Sequence, residues 1–173
     1  MFKKSTIAAM LLASSSSAFA TEVTKDTANA FFEKLMTEVQ NESESYFDLF
    51  EPNAAITYNL PESYGIASGK MKFNEYKQAI EMSWSYTENH SYDIEKPIIS
   101  VKNGIAEINV TMYERYTMQG YTSANKSVQQ FEVKSIKGQL KIVALTNNVT
   151  DIPETDAVKA DNSKSEKTQV NKK

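Results

Sequence analysis

The spacing of apolar residues divides the chain into a helical first half and a strand-rich second half. From Lys25 to Gln40, apolar residues recur at intervals of three and four, which predicts an amphipathic helix capped by Thr24 or Asp26. Ser43–Phe50 predicts a second, short helix, because its aromatic residues can pack on the first and Pro52 prevents its continuation. We expect the two helices to form one wall of the domain.

A short hairpin and a third helix follow. Ala54–Leu60 predicts a strand that ends at Pro61, and Tyr64–Ser68 is expected to pair back on it. The third helix is predicted to begin near Lys72. The apolar stripe with which it would face the sheet consists of Phe73, Tyr76, Ile80 and Trp84.

The second half is rich in β-branched and aromatic residues and is interrupted by short turn sequences such as Asn103-Gly104. This pattern predicts four antiparallel strands joined in a meander. Two of the strands are long enough that we expect them to be strongly curved or bulged. The predicted strands are Ser91–Val101, Ile105–Met118, Tyr121–Ile136 and Gln139–Val149.

Both ends of the chain differ from this folded part. Two early lysines, an apolar stretch and the sequence Ala18-Phe19-Ala20 predict a signal peptide over residues 1–20, cleaved after its last alanine. We expect a periplasmic or secreted protein without a lipid or membrane anchor, since no cysteine follows that site. Thr150–Lys173 is polar and has no aromatic residue, which predicts a disordered tail. Residues 21–149 therefore form the single predicted domain.

Composition and charge exclude several functions. The chain has no cysteine, so it has neither a disulfide framework nor a thiolate nucleophile or metal ligand. Between Thr21 and Thr150 there are about 17 acidic and 12 basic residues, roughly −5 in net charge, which argues against nucleic-acid binding. The sequence has no metal-binding motif and no glycine-rich phosphate loop, so we expect no metal and no cofactor.

The order helix, helix, hairpin, helix and long meander resembles a known superfamily. The segment Tyr46–Ala54 resembles its helix-to-strand junction, Gly69-Lys70 stands where a glycine usually precedes the third helix, and Ile136–Ile142 resembles its last hairpin. The chain is thus similar to the nuclear transport factor 2-like superfamily, the cystatin-like cone shared with ketosteroid isomerase, scytalone dehydratase and polyketide cyclase-like proteins. This resemblance implies an α+β fold with three N-terminal helices packed on a strongly curved, mostly antiparallel sheet. It also implies pairing of two copies through the sheet face, as a homodimer.

The resemblance implies an apolar cavity that is open at one end of the cone. The alternative for each candidate lining residue is that it simply fills the core. The lining residues implied by the family's geometry are Phe32, Leu35, Tyr58, Trp84, Met112, Tyr116 and Phe131.

Glu114 is the one charged residue among the alternate, otherwise apolar positions of its predicted strand. A regular strand would direct Glu114 inward, where a carboxylate could act as an acid, a base or a ligand anchor. A bulge would instead place Tyr113 and Arg115 inside. A third alternative leaves both charges at the rim, where they carry no function.

The catalytic residues of related enzymes are mostly missing. The resemblance puts Tyr58 and Asn59 where ketosteroid isomerase-like members have their base, and Leu35 where they have an oxyanion donor, so that only Glu132 keeps a carboxyl group at the second donor position. Dehydratase-like members use a histidine in the cone. The single histidine, His90, lies in a polar connection and is expected to be exposed.

These observations favour a non-enzymatic exported domain that binds a small apolar ligand or an exported protein partner through its cone or sheet face. The alternative is an isomerase- or hydrolase-type enzyme that acts on an apolar small molecule, with Glu114, Tyr116 and Glu132 as its candidate residues. A purely structural domain is the third class. An open cavity with convergent polar groups would favour a ligand.

Overall fold

The computed structural model describes residues 21–61 and 68–156. The predicted signal peptide, most of the predicted return strand Tyr64–Ser68 and residues 157–173 lie outside the described residues. No helix in the described part is long and apolar enough to span a membrane.

In the described part of the chain, two α-helices and one 3-10 helix precede the meander: α1 (Lys25–Gln40), the 3-10 helix (Glu44–Leu49) and α2 (Phe73–Tyr86). The prediction of three packed helices is therefore not confirmed in that form, because the six residues between Ser43 and Phe50 make only tight 3-10 turns. Residues 154–156 are also helical.

The start of α1 follows from its capping residues. The Thr24 hydroxyl accepts a hydrogen bond from the Thr27 amide at 3.1 Å, and the Thr24 amide donates to the Thr27 hydroxyl at 2.9 Å. This reciprocal pair satisfies two amides that the first helical turn leaves without partners. The apolar stripe then faces the sheet through Ala28, Phe31, Phe32, Leu35 and Met36.

The described residues form seven strands: β1 (Phe50–Asn59), β2 (Gly69–Met71), β3 (Glu88–Ile94), β4 (Ile98–Lys102), β5 (Ile105–Met118), β6 (Tyr121–Ile136) and β7 (Gln139–Asp151). They make one sheet in the order β2-β1-β7-β6-β5-β3, with β4 also paired to β5. All of the pairings are antiparallel except that between β1 and β7, which is parallel. This arrangement agrees with the α+β class that was predicted.

The predicted bounds of β5 and β6 are confirmed, whereas three other predictions differ from the structure. The predicted strand Ser91–Val101 is two strands, because Pro97 has no amide hydrogen to donate and the ladder breaks around it. The antiparallel partner of β1 is Gly69–Met71, whereas the return strand was predicted at Tyr64–Ser68, most of which lies outside the described residues. β7 continues to Asp151, so the first two residues of the segment that we predicted to be a polar tail belong to the sheet.

β1 also begins earlier than predicted, at Phe50 instead of Ala54. Phe50 pairs with Ile142, and the register then shifts before Ala55 pairs with Ala144. Pro52 lies inside this irregular stretch, where the loss of one amide donor is tolerated. The segment that we expected to stop a helix thus forms the bulged start of a strand.

The core lies between α1 and the face of the sheet that the helices cover. The most deeply buried large side chains come from α1 and from four of the strands, and each exposes 2% or less of its surface. They are Leu35, Ile56, Ile108, Phe131, Val133, Ile142 and Leu145.

Candidate functional site

The helix-covered face of the sheet changes from apolar to polar along its length. At one end Phe131 pairs with Ile108 on one side and Leu145 on the other. Toward the other end, the inward residues of β6 are Gln129, Ser127 and Asn125. Their register partners on β5 and β7 include Asn147 opposite Gln129 and Glu114 opposite Asn125. We call these two parts the apolar end and the polar end of the sheet.

A cavity of about 120 Å³ lies at the polar end. Strands β5, β6 and β7 supply its polar floor, and α1, α2 and the 3-10 helix supply aromatic and aliphatic side chains opposite. An engineered cavity of about 150 Å³ is large enough to hold benzene, so this one is suited to a group of about one ring. Its main lining residues are Tyr46, Tyr58, Tyr76, Trp84, Tyr92, Met112, Glu114, Tyr116, Asn125, Ser127, Gln129 and Asn147.

Four tyrosines around the cavity, Tyr46, Tyr58, Tyr76 and Tyr92, form what we call the tyrosine cluster. Burial raises the pKa of all four phenols well above the usual range. The hydroxyls of Tyr46 and Tyr76 lie 2.6 Å apart in a buried hydrogen bond. The phenols are therefore neutral at physiological pH and act as hydrogen-bond donors and acceptors.

Glu114 provides the carboxylate of the cavity. Its side chain is 24% exposed, and Oε2 accepts a hydrogen bond from Asn125 Nδ2 at 2.9 Å. β5 pairs with β6 without a register shift, so Glu114 lies on the same face as Met112 and Tyr116. After burial, the Glu114 charge is the next cause that raises the pKa of Tyr92.

His90 is buried, so the prediction that it is exposed is wrong. Its side chain is only 6% exposed, and Nε2 lies 3.3 Å from Glu114 Oε1 while Nδ1 contacts Glu42 Oε1. The cause is a bulge at the start of β3, where the register shifts between Glu88 and Ser91 and Asn89 adopts a positive φ of 55°. The bulge turns the imidazole between two carboxylates, behind the cavity wall.

Asn147 is the polar residue with the least solvent exposure in the cavity, at 3%. Its side-chain amide donates to Tyr58, which moderates the raised pKa of that phenol. Within the described residues, the Asn147 Oδ1 has no hydrogen-bond partner. A buried acceptor without a partner costs about 1–3 kcal/mol, so a hydrogen-bond donor that reaches this oxygen beside the cavity would be bound favourably.

The structure brings together five of the predicted site residues and leaves the others elsewhere. Phe32, Leu35 and Phe131 are packed in the core instead of lining the cavity. Glu132 is exposed on the opposite face of the sheet, since it alternates with the buried Phe131 along β6. The five that line the cavity are Tyr58, Trp84, Met112, Glu114 and Tyr116.

The polar residues of β6 and β7 are the part that the sequence analysis missed. Asn125, Ser127 and Gln129 continue the two-residue alternation that leads to Phe131, so this spacing carried the signal that they face inward. Arg115, the alternative to Glu114, pairs with Glu154 at 2.6 Å on the outside. The burial of Asn147 and His90 depends on how β7 and β3 meet the other strands, which no local pattern indicates.

A metal centre finds no support in the described part of the chain. No group of three His, Asp or Glu side chains there is arranged to hold a metal ion. The residues that converge on the cavity are phenols, amides and one carboxylate, so the site is suited to hydrogen bonding and proton transfer.

Solved structures with the same architecture are numerous, although no family model and no curated protein matches the sequence. A nuclear transport factor 2-like protein from Cytophaga hutchinsonii superposes with a TM-score of 0.59 at 13% identity, covering 74% of this chain and 99% of that chain. The chain has the nuclear transport factor 2-like fold. At this identity the likeness shows the fold alone.

Two further neighbours show how varied the proteins with this nuclear transport factor 2-like fold are. A type 3 hexachlorocyclohexane dehydrochlorinase from Novosphingobium barchaimii has a TM-score of 0.58 at 13% identity, covering 74% of this chain and 92% of that chain. The beta subunit of a benzoate 1,2-dioxygenase from Burkholderia mallei has a TM-score of 0.58 at 9% identity, covering 74% and 91%. The fold therefore fits ligand binding without specifying a function, which has to be argued from the cavity.

Proposed function

We propose that the protein binds a small molecule in the cavity at the polar end of the sheet, and that the ligand presents a hydroxyl or amino group to Asn147. The observation that carries the proposal is the buried Asn147 Oδ1, which has no hydrogen-bond partner among the described residues. The side chains of Asn125 and Ser127, which line the same cavity, are hydrogen-bonded. A ligand donor would complete the hydrogen bond to Asn147 Oδ1.

The rest of the cavity supports a ligand of mixed character. Glu114 and the tyrosine cluster offer further acceptors and donors, whereas Trp84 and Met112 offer apolar contact. A volume of about 120 Å³ is below the roughly 300–1,000 Å³ typical of drug-sized ligands. The part of the ligand inside the cavity is therefore about one ring in size.

Native mass spectrometry of the protein isolated from its own host tests this proposal. We expect a non-covalently bound small mass on the wild type. The variant Asn147→Leu should lose it, because leucine offers no acceptor. The matched control is Asn148→Leu, the next residue of β7, which is exposed and accepts a hydrogen bond from Asn59 outside the cavity.

Asn148→Leu should retain the bound mass. A wild type free of any bound mass, or equal retention in Asn147→Leu, would contradict the proposal. Circular dichroism of each variant checks that the loss of ligand does not reflect unfolding.

A second candidate function is acid–base catalysis. The observation that favours it is the chain of contacts from Glu42 through His90 to Glu114, which faces the cavity. A carboxylate with an imidazole directly behind it can take a proton from a substrate and pass it on. Proton abstraction next to a carbonyl group is the simplest reaction that this arrangement supports.

Deuterium exchange tests this second candidate. The wild type is incubated in heavy water with a panel of monocyclic ketones, and incorporation at carbon is followed by NMR. We expect exchange that falls by about a hundredfold or more in Glu114→Gln. The control Glu132→Gln removes an exposed carboxylate on the other face of the sheet and should retain the activity. An undiminished rate in Glu114→Gln, or no exchange by the wild type, would exclude this candidate.

We also propose that the protein acts outside the cytoplasm. The support is the order of positive, apolar and small residues that ends at Ala20. The protein recovered from the host should begin at Thr21, which N-terminal sequencing would establish. An intact Met1 would contradict export by cleavage.

A further inference from the structure

A second concavity, which we call the groove, lies beside the cavity. It has a volume of about 740 Å³ and lies between the C-terminal half of α2 and the adjoining ends of β5, β6 and β7. The apolar part of its lining is formed by Ala79, Met82, Tyr86, Met118, Ala124 and Ile152.

The groove exposes apolar side chains that a folded protein normally covers. Met82 is 56% exposed, Tyr86 is 68% exposed and Met118 is 45% exposed. Such a concentration of exposed apolar surface marks a binding region more often than scattered single residues do. Methionine adapts its unbranched side chain to the shape of different aliphatic groups.

The groove and the cavity share two lining residues. Ser83 of α2 and Tyr116 of β5 belong to both. Ser83 and Tyr116 therefore form the boundary between the cavity and the groove, and a ligand whose ring fills the cavity would reach the groove past these two side chains. The cavity alone is too small for such an extension.

The backbone around the groove is already hydrogen-bonded. Met118 and Tyr121 close the β5–β6 hairpin, β6 remains paired with β7 as far as Asp151, and the Ile152 amide donates to the Ala124 carbonyl at 3.2 Å. An added peptide strand would find few free backbone groups there. The groove thus offers side-chain contact, which suits an aliphatic chain.

We propose that the ligand is an amphiphile, with a one-ring head that carries a hydroxyl in the cavity and an aliphatic tail in the groove. This inference rests on the proposed function, since it assigns the ligand class of the same site. The head is held by hydrogen bonds from its hydroxyl to Asn147 Oδ1 or Glu114, and the tail by contact with Met82 and Met118.

A series of para-alkylphenols, from phenol to para-octylphenol, tests the inference by isothermal titration calorimetry. On the wild type, the dissociation constant should fall about three- to fourfold for each added methylene until the groove is filled. Met82→Glu places a charge in the groove at an exposed position where it does not disturb the core. This variant should bind phenol as the wild type does and lose most of the gain with chain length.

The matched control is Val128→Glu on β6, which is 45% exposed and lies outside both concavities. It should retain the full dependence on chain length. Asn147→Leu should weaken binding of every member of the series, phenol included, because it removes the acceptor for the head.

The Met82→Glu and Asn147→Leu variants test the tail site and the head site separately. If the affinity does not depend on chain length, or if Met82→Glu leaves that dependence intact, the tail site is wrong while the head site stands. If Asn147→Leu binds the whole series as tightly as the wild type does, or if the wild type binds no member, the cavity proposal fails. If Met82→Glu instead dissociates a ligand-free dimer in sedimentation velocity, the groove is covered by a second copy and the amphiphile is excluded.

Discussion

The apolar end and the polar end of the sheet are built from the same three strands and the same inward-facing alternation, yet they differ in what they do. At the apolar end, Phe131, Ile108 and Leu145 each expose 1% or less and pack together in the hydrophobic core. At the polar end, Asn125, Ser127 and Asn147 are almost as buried but surround a cavity. Burial by itself therefore does not distinguish core from site. The two ends differ in whether every buried group has a partner: the apolar side chains pack against one another, whereas the buried Asn147 Oδ1 lacks a hydrogen-bond donor.

Alkaline pH should separate the two ends most strongly, because the tyrosine cluster lies only at the polar end. The pKa of each of the four phenols is raised by burial above the usual 10.0. Folding stability is thus fully present below pH 10 and falls above it, by about 1.4 kcal/mol per phenol for each pH unit until the folded pKa is reached. We expect tyrosinate absorbance to rise together with loss of the circular dichroism signal.

Tyr58→Phe should reduce the loss of folding stability per pH unit by the contribution of one phenol, about 1.4 kcal/mol. If the tyrosine cluster ionised in the folded protein well before unfolding, the polar end would be more open to solvent than the structure indicates.

Phe131→Ala tests the apolar end. The side chain is 0% exposed, so its removal leaves an unfilled space and should lower the free energy of unfolding by about 4 kcal/mol in urea denaturation. Gln129→Ala, two residues along the same strand but beside the cavity, should cost far less. Equal losses for the two variants would remove the contrast between the ends.

His90→Gln tests whether the polar end is held together by charge. The variant leaves Glu42 and Glu114 facing each other without the imidazole between them, and should lower the free energy of unfolding by about 2 kcal/mol. Glu42→Gln in the same background should recover part of the loss, since it removes one of the two carboxylates. An unchanged stability in His90→Gln would show that the two contacts contribute nothing.

Arg115→Ala should have the smallest effect, at most about 0.5 kcal/mol. Its ion pair with Glu154 has both side chains 40% or more exposed, and solvent screens such pairs. This variant also checks the strand register, because Arg115 is the residue that would face the cavity if β5 were bulged. A large loss of stability would indicate that the pair anchors the residues that follow β7.

Much of the fold and five of the residues that line the cavity could be predicted from the sequence. The helical periodicity that begins at Lys25 and the turn at Gln119-Gly120 are local signals, and they located α1, β5 and β6 because side-chain spacing and turn conformation depend on near neighbours. The same alternation offered the inward position of Glu114 as one of three alternatives. The core residues assigned to the cavity, such as Phe131, were misplaced because alternation tells which face a residue lies on but not how far along the cone it lies.

By itself, the sequence determined α1, β5, β6 and the absence of cysteine chemistry, and it left the inward position of Glu114 as one of three alternatives. Only the tertiary structure decided that β1 pairs in parallel with β7 and that a bulge directs His90 between Glu42 and Glu114. It also decided that Asn147 is buried with an unpaired acceptor. The physical reason is that these features arise where segments distant in sequence meet, and their energies depend on which groups find partners across the sheet.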